Sequence, residues 1–168
     1  MKKVLSLILA LALCLSCSLA LAEATVVDVD AIADGAVVPF EDYGFTLTLP
    51  SDWNVLTVTD EQAATGIIAA YANAEGTRTF TVAYNELADA IDMATLQSQL
   101  ADAYANVSLM TINGTDFVTY EITDLDQAGL AFLGGEGTGL YLFVFTPNSD
   151  SEYGALACQI AGSLAAIE

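Results

Sequence analysis

Tyr43-Gly44-Phe45-Thr46-Leu47-Thr48-Leu49-Pro50-Ser51-Asp52-Trp53 is the stretch that decides the fold. Phe45, Leu47 and Leu49 alternate with Thr46 and Thr48, the period-2 pattern of a strand with one buried face. Pro50 has no N–H for a ladder and ends the strand. Trp53, the sole tryptophan, then stands where it closes one end of the core. Two residue types make it a candidate ligand contact as well, the indole ring and the neighbouring Asp52 carboxylate.

Upstream of this stretch the chain opens Met1-Lys2-Lys3, runs apolar to Leu21 and reaches Ala20-Leu21-Ala22 before Glu23. A basic head, an apolar middle and small residues at −3 and −1 predict a secretory signal peptide over 1–22, cleaved near Ala22. Two other readings remain for this segment. A permanent membrane helix needs about 20 apolar residues, and the Ala-x-Ala and the polar chain after it oppose that. Lipidation at Cys17 would need Cys14-Leu15-Ser16 to act as a lipobox, with Cys14 where a leucine is usual.

Cleavage also decides the chemistry. Cys158 is then the one cysteine left, so no internal disulfide forms although export would permit one. Arg78 becomes the one basic side chain against 22 acidic residues, and the chain has no histidine. Such a surface repels phosphate backbones and anionic headgroups, which excludes nucleic acid and electrostatic membrane binding. Without histidine or lysine there is no Ser-His-Asp triad, no Schiff-base lysine, no ordinary zinc site and no base to activate Cys158. A carboxylate pair of the glycosidase kind is the catalytic kit that remains. Asp124 with Asp126, or Glu41 with Asp42, are examples.

Residues 23–39 are rich in Ala, Val and Asp without a period, and predict an acidic lead-in that is partly disordered. Asp28, Asp30 and Asp34 within it are weak candidates for Ca²⁺. The EF-hand spacing fails at Ile32, Ala33 and Pro39. A solvated acidic segment is the default for these three, with an irregular Ca²⁺ site as the alternative.

Residues 40–168 predict a single α+β domain. Asp60 is expected to begin one helical turn. Runs at 66–72 and 77–84 make a hairpin around Asn73-Ala74-Glu75-Gly76. Arg78 sits on its threonine side, either pairing with a carboxylate or gripping an anionic ligand. Met93, Leu96, Leu100, Tyr104 and Val107 then fall at helical spacing after Asp92, predicting an amphipathic helix of about four turns. Asn113-Gly114 between alternating runs predicts a type I′ hairpin. A second strand pair flanks Gly134-Gly135-Glu136-Gly137, which lacks the Lys-Ser/Thr ending of a phosphate loop. Within that pair, Leu140-Tyr141-Leu142-Phe143-Val144-Phe145 is apolar on both faces and belongs at the sheet centre. Ser149 and Glu152 form a capping-box pattern before a last helix extending almost to Glu168.

Together these predict a three-layer α/β/α sandwich with a mostly antiparallel sheet of about seven strands and two main helices. The chain resembles the PsbP-like family, which includes the Mog-type Ran-binding proteins. The resemblance lies in Gly44-Phe45-Thr46-Leu47-Thr48-Leu49-Pro50-Ser51-Asp52-Trp53, the Asn113-Gly114 hairpin and Ile160-Ala161-Gly162-Ser163-Leu164. It implies a non-enzymatic binding or assembly factor. The basic and histidine residues of plant PsbP proteins have no counterpart here, so no functional residue carries over. The expectation is a secreted, strongly acidic, non-catalytic domain whose partner is an unknown protein or cell-surface component. A Ca²⁺-binding extracellular domain is the alternative, followed by a carboxylate-pair glycosidase.

Overall fold

The computed structural model describes residues 24–167. The expected signal peptide at 1–22 and Cys17 lie outside the described residues. In chain order the elements are β1 Thr25–Val27, β2 Gly35–Phe40, β3 Phe45–Pro50, β4 Asn54–Leu56, α1 Asp60–Ala64, β5 Ile67–Ala72 and β6 Thr79–Glu86. They continue with α2 Met93–Ala101, β7 Ala105–Ile112, β8 Thr115–Ile122, β9 Gln127–Gly134, β10 Gly139–Thr146, α3 Ser151–Gly162 and β11 Ala165–Ala166.

The strands form two sheets rather than one of about seven. An eight-stranded sheet runs β1-β7-β8-β9-β10-β6-β5-β4, and a three-stranded one runs β11-β3-β2. All pairings are antiparallel except β1 with β7. The deciding strand β3 is a core strand, as its alternation predicts, with Phe45, Leu47 and Leu49 buried. It sits in the small sheet, between β2 and β11. Alternation specifies one buried face but not which sheet supplies the neighbours.

The expected lead-in is corrected by the same pairings. Part of 23–39 forms β1, which adds to the edge of the large sheet, and most of β2, which pairs along the whole of β3. Asn113 ties this segment down. Its Oδ1 accepts from the Val29 N–H at 2.9 Å, and its Nδ2 donates to the Val29 and Gly162 carbonyls at 3.1 Å each.

Phe143 and Phe145 of β10, Phe80 and Val82 of β6, Phe117 of β8 and Phe132 of β9 face one side of the large sheet. Phe45, Leu47 and Leu49 of β3 meet them there, with Tyr153, Ala157, Ile160 and Ala161 of α3. Each phenylalanine, leucine, isoleucine or valine among them contributes about 1.5–3 kcal/mol by leaving water. On the opposite face Leu96 of α2 packs against Val118, Tyr120 and Ala131. The layers are therefore one helix, the large sheet, and a mixed layer of α3 with the small sheet. As its two-faced apolar run predicts, β10 lies inside the sheet, between β9 and β6.

Three local expectations shift. Thr59 rather than Asp60 caps α1, in a capping box with Gln62. Asp92 does cap α2 by accepting from the Thr95 N–H, but the helix stops at Ala101 instead of reaching Val107. Asn106 has φ 51°, and the chain from Ala105 pairs with β8. The periodicity misled because Tyr104 still lies on the same apolar face, its ring centroid 4.7 Å from that of Tyr120. The last helix is capped by Asp150, not Ser149, and ends at Gly162. Ser163 then turns the chain into β11, accepting from the Thr48 N–H at 2.8 Å.

The Asn113-Gly114 turn is as predicted, with φ of 47° and 83°, the left-handed pair a type I′ turn requires. Gly129 answers a different need. A Cβ there would lie 2.0 Å from the Tyr120 ring, which covers this glycine across the β8–β9 pair.

Candidate functional site

Two regions flank α3, and the expected site residues gather at only one of them. At the start of the helix, Asp150 accepts from the Glu152 and Tyr153 N–H groups, 3.1 Å each, which satisfies two of the donors a helix leaves open. Arg78, immediately before β6, reaches the same carboxylate. Its Nε donates to Asp150 Oδ2 at 2.8 Å, and its Nη2 lies 2.6 Å from that oxygen and 3.6 Å from Glu152 Oε2. Its guanidinium also stands 5.6 Å over the Tyr153 ring.

Trp53 meets Tyr153 as well, with ring centroids 5.9 Å apart. The structure therefore brings Arg78 and Trp53 to one buried tyrosine. Tyr153 is 1 % exposed, and its hydroxyl donates to the Thr79 carbonyl. Burial raises the Tyr153 phenol above its ordinary range. The hydrogen bond from Arg78, then that from the Tyr153 N–H, holds the Asp150 carboxyl below its own. Among the described residues no buried side-chain nitrogen or oxygen is left without a partner. The cluster is a clamp between β6 and α3, with Trp53 closing its end.

The other expected residues lie apart from it. Asp28, Asp30 and Asp34 are exposed between β1 and β2. Among the described residues no three of Cys, Asp and Glu gather as a metal-holding group. Asp126 has φ 51°, and its two carboxylate oxygens accept from the Ser149 N–H at 2.8 Å and the Ser149 hydroxyl at 2.7 Å. It ties the β8–β9 turn to the segment before α3. Asp124, Glu41 and Asp42 are exposed, and no charged residue is buried among the described residues.

On its other flank α3 leaves room. A cavity of about 150 Å³ lies between Gly154, Ala157 and Cys158 of the helix and Met110, Leu130 and Phe145 of the sheet. Thr119, Glu121 and Asn106 also line it. The Asn106 amide donates to a Glu121 carboxylate oxygen. Asn106 is neutral, and Arg78 is occupied at the far flank, so the Glu121 charge has no basic partner among the described residues. Burial raises the Cys158 thiol above its ordinary range, which keeps that wall uncharged. Sequence reasoning missed this cavity. Its one available signal was Gly154 inside a helical run, where glycine is costly.

No family model matches the chain, and no curated protein does. Solved structures do. The solution structure of cyanobacterial PsbP (CyanoP) from Synechocystis sp. PCC 6803 superposes with a TM-score of 0.56 at 13 % identity, over 81 % of this chain and 94 % of that one. A crystal structure from Bacteroides thetaiotaomicron VPI-5482 gives a TM-score of 0.50 at 18 % identity, over 74 % of this chain and 45 % of that one. At these identities the likeness concerns backbone arrangement, and the resemblance read from the three sequence motifs agrees with it. The chain has a PsbP-like fold.

Proposed function

We propose that the protein is an exported, non-catalytic binding or assembly domain whose partner is a protein or a cell-surface component. The observation that carries this reading is the apolar cavity under α3, set in a surface where Asp150 and Glu152 alone of the described carboxylates meet a basic side chain. Concave apolar space with a few polar groups at its edge is what recognition sites provide. The catalytic alternative has less support. A carboxylate-pair hydrolase needs one carboxyl held protonated by burial or by a close like charge, and no acid is buried among the described residues. Turnover of any member of a broad glycoside panel would reverse that judgement.

Capture on the immobilised protein from the surface fraction of the native culture tests the main reading. A saturable partner is expected, and recovery no better than on a charge-matched acidic protein would count against it. Ca²⁺ binding is the second reading, favoured by the exposed carboxylates of Asp28, Asp30 and Asp34 in one short segment. It requires Tm to rise more in millimolar Ca²⁺ than in NaCl of equal ionic strength. Equal shifts would mean screening alone.

A further inference from the structure

We propose that the cavity beneath α3 receives one aromatic or branched apolar side chain from a basic segment of a protein partner. This rests on the binding-domain reading and names the chemistry that the partner must present.

Size is the first argument. Pockets for drug-sized molecules and cofactors run to roughly 300–1,000 Å³. A cavity of about 150 Å³ lined by Leu, Ile and Phe is enough for benzene. The cavity here has that volume, and Met110, Leu130, Phe145 and Ala157 give it walls of that character. It therefore accommodates one ring or one branched side chain and little more.

Gly154 is the second argument. It stands in the first half of α3, where glycine is less favourable than alanine because it leaves the unfolded backbone freer. Elsewhere in this chain glycine answers a close approach, as at Gly129, or a left-handed turn, as at Gly114. Gly154 answers neither, since a Cβ there would meet nothing within 4 Å. Gly154 is exposed at the mouth of the cavity, and its bare Cα leaves that mouth open.

Charge is the third. Glu121 lines the cavity beside a neutral amide donor, and Asp124 and Asp126 follow in the turn that ends β8. With 22 acidic residues against one basic side chain beyond the first three residues, the approach to this rim favours cations. A partner that satisfies both the walls and the rim offers an apolar side chain flanked by lysine or arginine.

Isothermal titration calorimetry with capped tripeptides tests this directly. Lys-Phe-Lys is expected to bind about tenfold or more tightly than Lys-Ala-Lys, the difference that burying one aromatic side chain supplies. Glu-Phe-Glu should bind far more weakly than Lys-Phe-Lys. Gly154→Leu places a side chain in the cavity and should reduce Lys-Phe-Lys to the affinity of Lys-Ala-Lys. Gly154→Ala improves the helix in the same sense but leaves most of the space, and should keep the preference. Thermal melting of both variants, expected at or above the wild-type Tm, shows that a lost preference is not lost folding.

Equal affinity for the phenylalanine and alanine peptides, or a preference that survives Gly154→Leu, overturns the inference. Glu-Phe-Glu binding as well as Lys-Phe-Lys overturns its charge component. Phenethylamine binding as tightly as Lys-Phe-Lys would make this a small-molecule site and overturn the choice of a polypeptide. No binding of any peptide overturns the inference too. Surface-fraction capture decides the broader reading separately: a partner held equally by wild type and Gly154→Leu leaves that reading standing and the cavity unused.

Discussion

The two flanks of helix α3 meet the same sheet in opposite ways. Towards β6, one large residue fills the space: Tyr153 packs against Trp53 and Phe145, bonds the Thr79 carbonyl and lies under the Arg78 guanidinium. Towards β7 and β8, Gly154, Ala157 and Cys158 present almost no volume, and about 150 Å³ is left between them and Met110 and Leu130. A helix held by one flank has no need of close packing on the other. A filled flank and an open one thus sit on one element, about a quarter turn of helix apart. Stability should be concentrated on the Tyr153 side, and substitutions on the Gly154 side should be tolerated or favourable.

Tyr153→Ala is the strongest way to break that contrast. Removing a fully buried aromatic side chain costs about 3–5 kcal/mol, and here it also strips Trp53 and Arg78 of a shared neighbour. Urea denaturation followed by Trp53 fluorescence measures it. A loss below about 1 kcal/mol would mean that the helix is anchored elsewhere, against the packing described above. Tyr153→Phe separates volume from polarity. It keeps the ring and deletes the donor to the Thr79 carbonyl, and the expected loss is about 0.5–1.5 kcal/mol.

How far this arrangement can be read from residue order depends on the range of each interaction. The Asn113-Gly114 turn is decided by two adjacent residues that tolerate positive φ, and the structure has it. The burial of Phe45, Leu47 and Leu49 follows from their alternation, and that holds too. Their membership of a separate sheet depends on β2 and β11, which lie before and far after them, and no local pattern announces it. Helical spacing through Tyr104 and Val107 is real apolar periodicity, but β7 captures the chain at Ala105 because pairing with β8 outweighs further helix. Asp150 and Ser149 are equivalent caps on paper. Arg78, 72 residues away in sequence, favours Asp150, while Asp126 occupies Ser149. The cavity is the least legible feature of all. It is defined by side chains that are missing, and whether a missing side chain leaves a void depends on what stands opposite.

Gly154→Ala tests the open flank with the reverse sign. Nothing obstructs the added methyl group, and alanine should stabilise the helix by about 0.5–1 kcal/mol. The higher urea midpoint would confirm that this flank is not close-packed. A destabilised variant would mean that neighbouring side chains already use the space, and the contrast between the flanks would fall.

The smallest effect concerns acid. Arg78, and after it the Tyr153 N–H, depresses the Asp150 carboxyl in the folded protein. A carboxyl whose folded pKa is depressed adds stability that is fully present above its unfolded value, about 3.9. That contribution is lost as the pH falls through the lower folded value. Asp150→Asn keeps a good helix cap but removes the charge, so wild type should exceed the variant at neutral pH, and the gap should begin to close below about pH 4. Arg78 and Asp150 side chains are 27 % and 30 % exposed, so added salt should narrow the gap as well. Urea midpoints for both proteins at pH 7, 5 and 3 give the comparison, and the many other carboxylates titrate alike in the two and cancel. The deficit of Tyr153→Ala arises from volume and should change little over the same interval. If instead the Asp150→Asn gap is as wide at pH 3 as at pH 7, the ion pair is not what distinguishes the locked flank, and its hold on β6 belongs to Tyr153 alone.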